Sequence, residues 1–206
     1  MQIWSDWLTL AGICALGAMS PGPSLAVIVR HSVHGGRSQG LMAAGAHGLG
    51  IGIYALLSVL GIAAVLLAIP NLLRLLQIAG ASYLLFLAGK AGMGAWKKAP
   101  PPRPANARTD TPAWRDGFLI AFLNPKVGLF FIALFSQFVG PSYSLTTKGL
   151  MALLAMTIDT AWYVLVALLL STTMARSRFL HFHRWLDLLF ALLLGLVALR
   201  VLWGLR

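Results

Sequence analysis

Asp159 is one of five acidic residues in this chain, none of them glutamate, and it stands in the middle of a long apolar stretch. At 1.5 Å per residue it lies about 13 Å from the start of that stretch, near the midplane of a bilayer if the stretch crosses one as a helix. A carboxylate at that depth is costly and asks for a task, such as carrying a proton or meeting a substrate. A buried acid held only by structural hydrogen bonds is the plainer alternative. Thr157, Thr160 and Tyr163 beside it fit either reading. His47 lies in another apolar stretch, and histidine is the side chain suited to exchanging protons near neutral pH. His47 and Asp159 are therefore the candidates for proton coupling, with a packing role as the alternative for the histidine.

The second group of candidates is defined by proline. Ser20-Pro21-Gly22-Pro23 interrupts one apolar stretch and Asn124-Pro125-Lys126 another. Each proline lacks a backbone donor and clashes with the preceding turn, so no continuous helix passes through it. The first break is expected to free the carbonyls of Gly17 to Met19 and the amides of Ser24 to Ala26. Backbone groups left open inside a membrane must be buried in protein or line a wet cavity. A helix restarting at Ser24 aims its positive end at an anion such as a carboxylate. Asn124 is placed to cap the second restart through its side chain. Lys126 either meets a carboxylate, pairs with Asp159 or snorkels to the surface. Ser20, Pro21, Gly22, Pro23, Ser24, Asn124, Pro125 and Lys126 are thus candidate substrate-binding residues. Simple kinks are the structural alternative.

What must position these residues is a bundle of membrane helices. Hydrophobic residues make up 59% of the 206 positions and charged residues 10%, well below the charged share of a soluble domain. Six apolar stretches, about 8–29, 41–69, 73–95, 118–139, 150–172 and 186–202, are long enough to cross roughly 30 Å of hydrocarbon. The expected fold is all-α, a polytopic membrane protein with six transmembrane helices of which the first and fourth are broken. The first stretch lacks a basic leader and carries Asp6 instead, so it reads as a retained span rather than a cleaved signal.

The net charge of +11 sits mainly between stretches one and two, three and four, and five and six. Those connections are expected to face the cytoplasm, with both termini outside, which explains the charge without nucleic acid. Trp4, Trp7, Trp96 and Trp114 fall near stretch ends, as interfacial anchors do. The proline-rich segment 97–115 separates two halves, 1–96 and 116–206, of three stretches each. Gly40-Leu41-Met42-Ala43 opens the second stretch and Gly149-Leu150-Met151-Ala152 the fifth. Carrying that register forward places Tyr54 opposite Tyr163, adding both to the binding candidates, and Gly50 opposite Asp159. Three crossings per half make the second copy inverted, a plan that holds substrate between the halves in secondary transporters.

Other features carry less chemistry. Cys14 is the single cysteine, so no intramolecular disulfide or redox pair exists, and a thiol–disulfide carrier is excluded. Ala44, Gly48 and Gly52 form a stripe for close helix approach. His181 and His183 lack acidic or cysteine partners and make a poor metal site. No nucleophile–base set or phosphate loop is present, so an enzyme is not expected.

Ser20-Pro21-Gly22-Pro23, the glycine-rich second stretch, Leu123-Asn124-Pro125-Lys126 with Phe130-Phe131 and Gln137-Phe138, Asp159 with Trp162, and Phe190 to Gly195 together resemble the LysE/RhtB family of amino-acid exporters. The resemblance covers nearly the whole chain. It implies export of amino acids or close derivatives by proton antiport from the bacterial inner membrane. Ser24 departs from the Asn or Asp frequent there, and Tyr54 from a His. The expected partners are such a substrate, protons and the lipid bilayer, with a homo-oligomer left open and no cofactor. A transporter of divalent metals or other ions is the alternative reading.

Overall fold

The computed structural model describes residues 2–20, 22–68, 70–96, 111–139, 143–169 and 173–204. Pro21 and positions 97–110 of the linker lie outside them, as do the side chains of Pro125, Trp4, Trp96, His181 and His183. All regular structure among the described residues is helical: α1 Gln2–Met19, α2 Pro23–His34, α3 Gly36–Ala68, α4 Pro70–Trp96, α5 Ala113–Phe122, α6 Pro125–Phe138, α7 Leu145–Leu169 and α8 Thr173–Gly204.

The breaks fall where the prolines stand. The axes of α1 and α2 meet at 59° and those of α5 and α6 at 50°. At the other end of α2 the chain reverses through Gly35 and Gly36. Gly36 has a φ of +79°, a left-handed conformation that a residue with a Cβ rarely adopts. Two helices are unbroken, long and apolar enough to cross a bilayer, Gly36–Ile62 and Leu145–Leu169, with mean hydropathies of 1.6 and 1.9. The two bent pairs each pass as one broken span. These are four candidate spans among the described residues, where six were expected. α4 and α8 are long helices that supply only a shorter described apolar run, Leu188–Arg200.

Apolar side chains also cover the outside. Leu189, Leu192, Leu196 and Leu199 are exposed at helical spacing along α8, and Leu49, Ile53, Leu56 and Leu60 do the same along α3. Stripes of that size on a soluble surface would drive aggregation, whereas in a bilayer they face acyl chains.

Inside, α3 packs on α7 and α4 on α8, while the half-helices α2 and α5 both lie against α3. The buried apolar residues form two separate groups. The larger joins α1, α3, α4, α6, α7 and α8, with Ala121 of α5, through bulky side chains such as Leu134, Phe135, Leu84 and Leu194. The smaller joins α2, α3, α5 and α7 through Ile28, Ala43, Ala44, Ala113, Tyr163, Val166 and Ala167. Between them, His47 and Ile51 on α3 and Ala155 and Asp159 on α7 border a cavity.

Candidate functional site

The cavity encloses about 80 Å³ at the two helix breaks. Ser20, Gly22, Pro23, Ser24, His47, Asn124, Lys126, Asp159 and Tyr163 all line it. Residues 112 positions apart in the chain meet there: His47 Nδ1 lies 2.8 Å from Asp159 Oδ2, and both side chains are buried. The hydrogen bond can run in either direction. With the carboxylate charged, Nδ1–H donates to it; with the acid protonated, its O–H donates to a bare Nδ1. His47 Nε2 has no hydrogen-bond partner among the described residues. Its ring stands edge-on to Tyr163 with centroids 4.6 Å apart. Tyr163 and Ser24 of α2 line the same cavity. Polar groups of α7, α3 and the start of α2 thus share one cavity.

The approach of α3 to α7 depends on Gly48. A Cβ there would land on the Thr160 hydroxyl, so no larger residue fits without parting the helices that carry His47 and Asp159. The expectation of a close-packing stripe on α3 has its physical content at this contact.

The two restarting helices are finished differently. In α6 the Asn124 side chain accepts from the Lys126 amide at 3.0 Å, and the Asn124 carbonyl takes the amides of Val127 and Gly128. In α2 no side chain caps the start; the Ala26 amide reaches the Gly22 carbonyl, and the Ser24 and Leu25 amides have no hydrogen-bond partner among the described residues. The opening is narrower than the sequence suggested. Ala26 is already engaged, and on the α1 side the Ser20 amide still closes onto the carbonyls of Leu16 and Gly17. Apolar side chains complete the walls, chiefly Phe130 and Phe131 of α6, Phe190 of α8 and Ile51 of α3.

Tyr54 does not line this cavity. It shares a face of α3 with His47 but lies two turns further along, about 10 Å away, where its ring tilts against Phe122 and covers Gly128. Cys14, read as inert, does line the cavity, and it is buried.

A second polar cluster sits at the opposite ends of α2 and α5. Arg30 pairs with Asp116, His31 Nε2 lies 2.9 Å from the same carboxylate oxygen, and the Thr111 hydroxyl donates to it at 2.7 Å. His31 is buried, whereas Arg30 and Asp116 keep 40% and 19% of their side chains exposed. Partial burial alone pushes the Asp116 carboxyl upward. The hydrogen bonds from Thr111 and His31 and the Arg30 charge outweigh it and hold the group below the usual carboxylate range. Asp116 was not singled out from the sequence; the signal available was its place just before the fourth apolar stretch, beside a basic connection.

Residues 15–204 match the LysE type translocators over nearly the full chain. The protein belongs to that family. A LysE type translocator is a transporter and not an enzyme, and with these apolar helices it is a multi-pass membrane protein. Among its relatives, a membrane protein of Pseudomonas aeruginosa is 34% identical over 148 residues, covering 70% of this chain and 68% of the relative. The threonine efflux protein of Escherichia coli is 28% identical over 187 residues, 88% and 89% of the two chains. The leucine efflux protein of an Enterobacter species is 25% identical over 177 residues, 86% and 83% of the two. No solved structure matches.

Proposed function

We propose that this translocator exports amino acids or close derivatives from the cytoplasm by proton antiport, with the substrate held at the two helix breaks. The observation that carries the reading is the His47–Asp159 pair on the wall of the cavity that also receives the start of α2. The amides of Ser24 and Leu25, at a positive helix end and without a partner among the described residues, suit a carboxylate, and Lys126 adds a cation on the same cavity. Asp159 suits the amino group or the exchanged proton, and its contact with His47 gives that proton two places to rest. Ser20, Gly22, Pro23, Asn124 and Tyr163 shape the same space, and Pro21 and Pro125 act through the breaks they impose. Relatives named for threonine and leucine efflux support an amino-acid substrate.

The architecture we propose has six spans in two inverted halves, 1–96 and 116–206, joined by 97–115. The pairing of α3 with α7 and of α4 with α8, and a bent helix pair in each half, support it. The basic connections support a bacterial inner membrane protein with both termini outside. Ion transport remains the alternative, and no group of three or more His, Cys, Asp or Glu among the described residues speaks for it.

Purified protein in vesicles, screened with labelled amino acids for counterflow with and without a pH gradient, tests this. The expected result is exchange of at least one amino acid or derivative, accelerated by an inward proton gradient. Silence toward every amino acid and derivative would overturn the reading.

A further inference from the structure

The half-helices α2 and α5 each join two places. One end of each lies at a break beside the cavity, Pro23 of α2 and Phe122 of α5; the other carries the charged cluster, Arg30 and His31 on α2 and Asp116 on α5. The two helices touch each other directly, and both rest on α3. Between the cavity and the cluster lies the smaller apolar core, whose buried members are mainly alanines, with Leu25, Val29, Leu41, Trp162 and Val164 packed around them. The contact with α3 is smooth: a Cβ on Gly117 of α5 would land on the Ala43 carbonyl, and one on Gly40 would strike Ser32 of α2. Smooth surfaces let a helix slide or tilt without dragging side chains out of sockets. What ties α2 to α5 most specifically is therefore Asp116, whose carboxylate gathers donors from Arg30, His31 and Thr111 on one oxygen.

We infer that Asp116 is a positioning residue for transport: it clasps α2 to α5 and holds shut the path between the cavity and the side of the membrane on which the cluster lies. Releasing it frees a half-helix to tilt about its break. At Gly22 the backbone is extended, and nothing lies within 4 Å of where its Cβ would be. That this side is the cytoplasm rests on the orientation proposed above; the clasp itself does not.

The native thiol supplies the test, because Cys14 is the chain's single cysteine and borders the cavity. A membrane-impermeant maleimide is applied to inside-out and to right-side-out vesicles holding the full chain. Asp116→Asn should speed labelling of Cys14 about fivefold from the cytoplasmic side, the scale set by losing a partly exposed ion pair. Arg30→Gln should act in the same direction. Asp116→Glu, which keeps the carboxylate for all its donors, should return the rate toward that of the native protein. Faster labelling from the outside alone would uphold the clasp and overturn the orientation. Equal rates from both sides in native protein and Asp116→Asn, with full labelling after denaturation, would overturn the clasp.

Discussion

The two apolar cores flank one cavity but are built to different rules. The larger is knitted from bulky groups: Phe131 stacks on Phe135, Phe130 meets Phe190, and Leu134, Leu84 and Leu194 fill what remains. Within a bilayer, where lipid is as apolar as leucine, such packing holds helices together because the shapes interlock. The smaller core is dominated by alanine and completed by charged residues at its rim. One group behaves as a frame. The other behaves as a door with a clasp. The same contrast recurs in the helix starts, since α6, anchored in the frame, is capped by Asn124, while α2, which borders the door, has no side-chain cap among the described residues.

The largest expected difference comes from truncating each core. Phe135 is fully buried, so Phe135→Ala should cost roughly 3 kcal/mol or more of stability, read from thermal unfolding in detergent. Ile28→Val in the smaller core removes one methylene and should cost only about 1 kcal/mol. Equal losses would erase the distinction between frame and door.

A glycine pair gives the next effect. Gly117→Ala places a carbon on the Ala43 carbonyl and should destabilise by about 1–3 kcal/mol through overpacking. Gly149→Ala, where the added Cβ meets nothing within 4 Å, should stabilise the helix by up to about 1 kcal/mol. Melting curves that shift in the same direction would show that α5 does not lie closely on α3.

The smallest effect is a pH dependence. Asp116 has a folded-state pKa below its ordinary value, so its contribution is present above the ordinary carboxylate range. It is lost as the pH falls through the lowered value. The stability gap between native protein and Asp116→Asn should therefore be constant near neutrality and shrink only in acid. A gap that grew with acid would reverse the assignment.

Much of this was legible in the chain. Proline chemistry placed both helix breaks, because ring geometry and a missing donor act whatever the tertiary setting. Composition made the fold helical and lipid-facing. The residues around the breaks converge because the breaks do. What stayed hidden was register between distant helices. The short repeat aligned Gly50 with Asp159 as corresponding positions, which does not say what touches the acid; the side chain that reaches it is His47 on α3. That meeting depends on the close approach of Gly48 to Thr160, a contact no single stretch reveals. Tyr54 was carried into the site by the same register, and the rise of the helix takes it past the cavity. Asp116 was hidden because its partners on α2, His31 and Arg30, are 85 and 86 residues away in sequence.

The most direct test is gradient-driven transport by Asp159→Asn, using the amino acid identified by counterflow and proteoliposomes with a set inward proton gradient. The side chain keeps its size and a hydrogen bond to His47 but can no longer take up or release a proton. The expected outcome is loss of gradient-driven export by about 100-fold or more, with the protein still folded and inserted. Export that follows the proton gradient as it does in the native protein would contradict the mechanism.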